Sequence, residues 1–311
     1  MDLLLRLEKS GMKPNRVNFD FEEALYRNEP LYKSTKIVNK LEYIYFFFNE
    51  STPLYSEQNY SKSTFKYYKD LIKRDVEVTC DSPYYSWWGD IEDFEESKRI
   101  NSKVEQTKYL SKMSLIPDDI LITKESEVIK LESSKDYYFR SEYGFSGLGN
   151  TIVKSKKTFT SPRIGVIGKY RDVILSFGVT FRGDDFFICM NKINKGKFVG
   201  GEIISLSELS VMSSYLNQDR LHQEIVSIVQ SIKNFTKKDW GQFDSFFYKE
   251  ECEIKWYKVV EINQRKTMSL MAKKCEEHFG QGSLSFSQNS ARDIPLFSKD
   301  QSVLKLFYRL K

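Results

Sequence analysis

A chain of 311 residues exceeds what one hydrophobic core usually organises, which predicts two or three packed subdomains in a protein that folds on its own. Its 48 basic and 43 acidic residues give a net charge of +5 spread along the whole length. That distribution argues against a polybasic nucleic-acid surface and fits an anionic substrate drawn to one positive cleft. Cys80, Cys189, Cys252 and Cys275 form no CxxC pair and the histidines are His222 and His278, so the sequence argues against zinc and fits a reducing, cytoplasmic setting. No stretch approaches the roughly 18 apolar residues of a membrane span, and the N-terminus lacks a basic segment before a long apolar run, so a soluble, unsecreted protein is expected.

Residues 1–100 are rich in Tyr, Phe and Lys and carry short apolar runs such as Leu41-Glu42-Tyr43-Ile44-Tyr45-Phe46-Phe47-Phe48 between Asn/Ser/Pro-rich connectors. They predict a small α/β lobe whose strand order stays open. A helix starts at Asn101 or Ser102, either of which offers a side-chain oxygen to the first-turn amides, and ends before Leu115-Ile116-Pro117, since proline disfavours helix at the preceding residue. Extended runs at 137–140 and 151–154 flank a glycine-containing loop. Strands at 173–181 and 185–192 follow, joined by the turn Arg182-Gly183-Asp184. Leu221, Ile225, Ile228 and Ile232 recur at helical spacing, which predicts a single helix over 206–235. A strand pair, 242–248 and 253–263, precedes a last helix beginning near Thr267.

Chemistry concentrates at two places. The loop Ser141-Glu142-Tyr143-Gly144-Phe145-Ser146-Gly147-Leu148-Gly149-Asn150 sets three glycines within six positions, so its backbone can approach an anion closely; it also reads as an ordinary connector between strands. It is not a Walker loop, because the GxxxxGK[ST] spacing is absent. In Tyr257-Lys258-Val259-Val260-Glu261-Ile262-Asn263-Gln264-Arg265, strand alternation puts Glu261 and Asn263 on one face, with Val260 and Ile262 turned to the core. Asp244, on the preceding strand, can lie opposite Glu261. Two carboxylates and an amide oxygen are hard donors suited to magnesium, and the same pattern also describes the wet face of a hairpin. Trp87-Trp88 reads as packing, His222 and His278 as surface or helix-end residues, and Met268, Leu270 and Met271 as the core side of the last helix. Lys192, Lys195 and Lys197 read as a solvated turn.

In chain order, Asn101-Ser102-Lys103, Phe139-Arg140, Gly144-Phe145-Ser146-Gly147-Leu148-Gly149, Asp244 and Glu261-Ile262-Asn263-Gln264-Arg265 resemble the ATP-grasp superfamily over roughly residues 95–275, the Glu-x-Asn-x-Arg strand being the most specific part. The resemblance implies an α/β (α+β) ATP-grasp fold of three pieces. These are an N-terminal lobe at 1–100, a central subdomain with the glycine loop at 101–165, and a C-terminal subdomain with metal-binding strands at 166–311, with ATP between the last two. It implies that Lys103 and Arg140 contact ATP phosphates, that Gly144, Ser146, Gly147 and Gly149 cover them, and that Asp244, Glu261 and Asn263 hold Mg2+. Arg265 would lie by an acyl phosphate or a substrate carboxylate, forming the catalytic pair with Arg140.

The implied activity is an ADP-forming biosynthetic ligase coupling a small-molecule or peptide carboxylate to an amine. A small-molecule kinase or carboxylase, or an inactive nucleotide-binding regulator, are the alternatives. The implied partners include neither membrane nor nucleic acid, and a homodimer is left open. Two positions depart from the family pattern: Arg140 stands where lysine is usual, and Val166-Ile167-Gly168-Lys169-Tyr170 lacks the glutamate that often precedes the hinge.

Overall fold

Aromatic density, rather than strand length, organises the N-terminal lobe. The computed structural model describes residues 13–30, 41–48, 51–80, 84–144, 149–194, 197–214, 216–287, 290, 293–297 and 306–311, and the statements below concern those residues. Four two-residue strands, β1 (Asn15–Arg16), β2 (Leu54–Tyr55), β3 (Val78–Thr79) and β4 (Tyr85–Ser86), form a parallel sheet in the order β3-β2-β1-β4. Helices α1 (Phe21–Arg27) and α2 (Lys62–Ile72) accompany them; α2 starts where the Ser61 hydroxyl accepts the Thr64 N–H at 3.1 Å. The apolar run ahead of β2 is a 3₁₀ helix, Glu42–Phe48, buried at every position. Being apolar nearly all round, it belongs inside a core. Tyr43 stacks on Tyr68 at 5.4 Å, and the same cluster takes in Met271, Ala272, Cys275, Leu284 and Tyr308 from the far end of the chain. The lobe therefore shares its core with the C-terminal part of the chain.

Helices α3 (Phe94–Asn101) and α4 (Lys103–Lys112) meet at Ser102, whose extended backbone interrupts them and whose hydroxyl accepts the Glu105 N–H at 3.1 Å. Ser102, not Asn101, is thus the cap. A small sheet follows: β5 (Leu121–Thr123), β7 (Tyr137–Ser141), β8 (Asn150–Val153) and β10 (Gly165–Lys169), in the order β5-β10-β7-β8, beside a ribbon of β6 (Val128–Lys130) and β9 (Thr158–Thr160). The glycine loop joins β7 to β8, with Arg140 opposite Asn150 at its base.

The large sheet contains β11 (Asp172–Arg182), β12 (Asp185–Asn194), β13 (Lys197–Ile204), β14 (Trp240–Glu250), β15 (Glu253–Asn263), β16 (Gly282–Ser285), β17 (Ile294–Pro295) and β18 (Phe307–Leu310). Its order is β15-β14-β11-β12-β13-β16-β18-β17, so β15 is an outer strand. Phe177, Val179 and Phe181 alternate onto one face with Phe243 and Phe247, under the buried stripe Leu221, Ile225, Ile228 and Ile232. The expected single helix over 206–235 is instead two, α5 (Leu206–Ser213) and α6 (Gln218–Thr236). Ser214 takes a left-handed conformation that ends α5, and the Asn217 side chain caps α6 by accepting the Arg220 N–H at 2.9 Å. Helix α7 (Met268–Phe279) buries Met271 in the core shared with the N-terminal lobe, with Met268 and Leu270 packed beside it. No helix among the described residues is long and apolar enough to cross a membrane.

Gly89 is the seam between the lobe and the large sheet. Asn18 donates to its carbonyl at 2.7 Å, its backbone bridges Arg265, and the Lys266 N–H donates to the Trp88 carbonyl at 2.8 Å. Trp87 and Trp88 are buried here in packing roles. A Cβ on Gly89 would stand 2.3 Å from the Phe21 ring, whose lateral movement the core prevents. Gly89→Ala should therefore lower stability by about 1–3 kcal/mol in urea unfolding, the typical magnitude for overpacking. An unchanged midpoint would show that the seam is loose.

Candidate functional site

The face of the large sheet opposite α6 is polar where β11, β14 and β15 meet. Asp244 pairs directly with Glu261, so the two carboxylates project side by side. The ladder then slips: Asp244 pairs with Glu261 but Phe246 pairs with Tyr257, so β15 carries extra residues in this step. The bulge overturns one expectation. Strict alternation turned Val260 to the core, whereas Val259 is the fully buried residue and Val260 lines the cleft. Ile262 is in the core as expected, and Asn263 is buried beside the carboxylates.

Asp244 is held in a fixed orientation by a network that sequence reading missed. The hydroxyls of Thr180 and Thr267 both donate to the Gln242 side-chain oxygen, at 2.9 and 2.5 Å. The Gln242 amide is thereby aimed at Asp244, donating to Oδ1 at 2.8 Å, while Asn263 Nδ2 donates to Oδ2 at 2.9 Å. The amide oxygen of Asn263 is left as its acceptor. Gly178 lies directly across from Asp244 on β11, and a Cβ there would meet Gln242 at 2.8 Å and Asp244 at 3.3 Å. A lone glycine in the middle of a long strand is the sequence feature that could have marked this space.

Three cations surround the carboxylates, each from a different element. Lys103, at the start of α4 and 5% exposed, lies 3.1 Å from Glu261 Oε1 and donates to the Gly144 carbonyl at 3.3 Å. Arg140 on β7 donates to the Val260 carbonyl at 2.8 Å, which pins the bulge. Arg265 donates to Glu22 of α1 at 2.7 Å. Burial pushes the Glu261 carboxyl up, but Lys103, Arg140 and Arg265 outweigh burial and hold it below its ordinary value. For Asp244, burial first and the neighbouring Glu261 second raise the carboxyl to about 6. Arg265 is opposed by burial yet kept firmly protonated by Glu22, Glu261 and Asp244.

Beside these residues opens a cleft of about 1120 Å³ between the small and large sheets. Its walls carry Ile120, Ile152, Val166, Val173, Ile174 and Ile193, with Arg140 and Asp244 at the polar end. Three of its lining residues each carry a buried polar atom, Asn150 Oδ1, Asn191 Oδ1 and Arg171 Nε, with no hydrogen-bond partner among the described residues. An apolar slot with a few polar side chains among its lining suits a flat, polar-edged ligand. At the hinge, Asp119 accepts the Lys169 N–H at 2.8 Å and also pairs with Arg171, which donates to the Lys169 carbonyl at 2.7 Å.

Of the glycine-loop residues, Gly144 touches Lys103 through its carbonyl, and Gly149, at φ +81°, returns the chain to β8. Ser146 and Gly147 lie outside the described residues, as does Lys195; Lys192 is on β12. His222 and His278 are exposed, on α6 and α7.

Among the described residues no three His, Cys, Asp or Glu side chains gather into a metal cage. Two carboxylates and one amide oxygen fit magnesium, which keeps waters and takes phosphate oxygens for the rest of its shell. The elevated Asp244 carboxyl marks a position short of positive charge, which a divalent ion would supply.

No protein-family model and no curated protein matches this sequence. Among solved structures the chain is similar to N5-carboxyaminoimidazole synthetase from Staphylococcus aureus complexed with ADP, at 11% identity over 83% of this chain and 75% of that one, with a TM-score of 0.42. It is also similar to D-alanine–D-alanine ligase from Bacillus anthracis, at 14% identity over 63% and 68%, TM-score 0.42. A third likeness is to an Archaeoglobus fulgidus protein described as of the ATP-grasp superfamily, at 11% identity over 84% and 77%, TM-score 0.43. Superpositions this loose assign no residue role and no substrate, so the chemistry is read from the site itself.

The raised Asp244 carboxyl has a definite consequence. A folded value of about 6 against an ordinary 3.8 means that folding favours the neutral acid. The stabilisation is complete below about pH 4 and is lost as pH rises through 6, by at most about 3 kcal/mol. In the presence of a chelator, the stability difference between Asp244→Asn and wild type should shift in favour of the variant by that order between pH 4 and 7.5. Urea unfolding of both proteins at both pH values reads it, and a pH-independent difference would mean an ordinary carboxyl.

Proposed function

We propose that this chain is an ADP-forming carboxylate–amine ligase of the ATP-grasp type, with ATP in the cleft between the small and large sheets. The observation that carries the reading is the pair Asp244 and Glu261, fixed side by side at the polar end of an apolar cleft and ringed by Lys103, Arg140 and Arg265. In this reading the purine occupies the slot walled by Ile120, Ile152, Val166 and Val173, and the phosphates point toward the carboxylates. The division into a lobe at 1–100, a central subdomain at 101–165 and a C-terminal subdomain at 166–311 belongs to the same proposal.

Mg2+, when bound, supplies the charge that offsets the crowding of phosphate and carboxylate oxygens. Asp244 and Glu261 would hold it, with the Asn263 oxygen as a further donor, and the Thr180–Thr267–Gln242 network keeps Asp244 oriented. Lys103 and Arg140 neutralise the phosphates from the glycine-loop side. Gly144 and Gly149, with Ser146 and Gly147 between them, supply backbone amides over the transferred phosphoryl group. Arg265 receives the substrate carboxylate, which its planar fork suits. A carboxylate, that of Glu22, already lies against this guanidinium at 2.7 Å, which supports the assignment. The substrate carboxylate attacks the γ-phosphate, the acyl phosphate forms as ADP leaves, and an amine displaces phosphate. The enzyme supplies position and charge, with no covalent nucleophile of its own.

ATP with magnesium should raise the melting temperature, and ATP with chelator should do so far less, because only the complete ligand set binds the folded state tightly. Glu261→Gln keeps the shape and removes the charge. Phosphoryl transfer should fall by two or more orders of magnitude, roughly 3 kcal/mol of transition-state stabilisation, with folding preserved. ADP release across a panel of amino-acid and peptide carboxylates with amines measures it. Equal thermal shifts with and without the metal, or near wild-type turnover in Glu261→Gln, would remove the assignment.

A further inference from the structure

The strand that carries Glu261 and Asn263 is an outer one, so one edge of its backbone has no neighbouring strand to bond. The α3–α4 region fills that edge. The Val259 N–H donates to the Leu115 carbonyl at 3.3 Å, and the Gln264 N–H to Asn101 Oδ1 at 3.3 Å. Between them the side chain of Gln106, 2% exposed, pairs with both backbone groups of Ile262: the Ile262 N–H donates to Oε1 at 2.9 Å, and Nε2 donates to the Ile262 carbonyl at 2.8 Å. Its second amide hydrogen goes to the Ile100 carbonyl at 2.9 Å. With two carbonyls to serve, the amide nitrogen has one orientation, and the oxygen must face the Ile262 N–H. Gln106 thus stands in for a missing strand at the residue between Glu261 and Asn263.

Gln106 is also three residues from Lys103, so both leave α4 on one face. Lys103 reaches Glu261 and the root of the glycine loop, while Gln106 fixes the backbone that presents Glu261 and Asn263. One helix face therefore sets the separation between the phosphate side of the cleft and its metal side.

We propose that Gln106 is a positioning residue for the divalent cation: its carboxamide, locked to Ile262, fixes the spacing of Glu261 and Asn263 on which metal affinity in the nucleotide complex depends. This rests on the magnesium-nucleotide reading above. Outer partners of metal ligands commonly set affinity by about 10- to 100-fold. Gln106→Met fills similar space and makes neither bond to Ile262. Mn2+ binding to the protein with ATP, followed by electron paramagnetic resonance, should weaken about tenfold or more. Turnover should recover at high Mg2+, an increase in the metal requirement rather than a loss of kcat. Tyr109→Phe is the control, since it removes another α4 bond, from the Tyr109 hydroxyl to the Ser231 carbonyl at 3.0 Å, which goes to α6 and not to the strand that carries Glu261. It should lower stability and leave Mn2+ affinity at the wild-type value.

Gln106→Asn keeps the amide but is one methylene shorter, so it does not reach both backbone groups of Ile262 at once. It should weaken Mn2+ binding in the same direction, and it decides the matter if the methionine variant does not fold. A folded Gln106 variant with wild-type Mn2+ affinity, or a Tyr109→Phe variant with an equal loss, overturns the positioning role and leaves the ligase reading standing. Wild-type protein that binds Mn2+ no better with ATP than without it overturns both.

Discussion

Asp244 and Glu261 face each other across one ladder step, half-buried and so only partly screened by water, and the arrangement around them follows from that repulsion. The two carboxyls divide the burden unequally. Glu261, within reach of Lys103, Arg140 and Arg265, is held ionised; Asp244 is driven toward its neutral form by burial and by Glu261, against the opposing pull of the Gln242 and Asn263 amides and of Arg265. A metal-free site of this kind carries an electrostatic deficit at one carboxylate. A divalent ion bound there, as proposed above, would remove it and would couple its binding to the stability of the fold.

The cations that answer the pair come from the start of α4, the end of β7 and the segment after β15, so the site exists only when separate parts of the chain are docked. Their side chains also hold the architecture. Arg140 is spent partly on the Val260 carbonyl at the bulge, Lys103 partly on the root of the glycine loop, and Arg265 on α1 of the N-terminal lobe. Buried charges need partners wherever they lie, and here the partners are structural groups as well as the opposing carboxylates.

The N-terminal lobe is tied to this centre by packing as much as by charge. Its sheet has only two-residue strands, too short for an independent ladder to be stable, and its aromatic 3₁₀ helix closes a core that α7, β16 and β18 complete. Gly89, bare of a side chain over Phe21, lets the lobe come close enough for Glu22 to reach Arg265.

Much of the frame was legible in the sequence, because it depends on local periodicity. The alternation of Phe177, Val179 and Phe181 made a strand with one apolar face, and the Leu221–Ile232 spacing made a helix with one apolar stripe. The two adjoining strands that carry Asp244 and Glu261 were legible too, but their direct pairing is reached only through the bulge, since the hairpin register continued without it would set Asp244 opposite Val259. What depended on tertiary structure was decided by partners distant in the chain. The bulge that turned Val260 toward the cleft is held by Arg140, the orientation of Asp244 by Thr180 through Gln242, and the edge of β15 by Gln106, 156 residues from Ile262. The break between α5 and α6 came from a left-handed serine with no glycine or proline to announce it. A periodic pattern records which face of an element meets the core. It holds no record of which buried amide, hydroxyl or guanidinium satisfies a given backbone group, because that choice is made only when distant elements dock and leave one partner within hydrogen-bond reach.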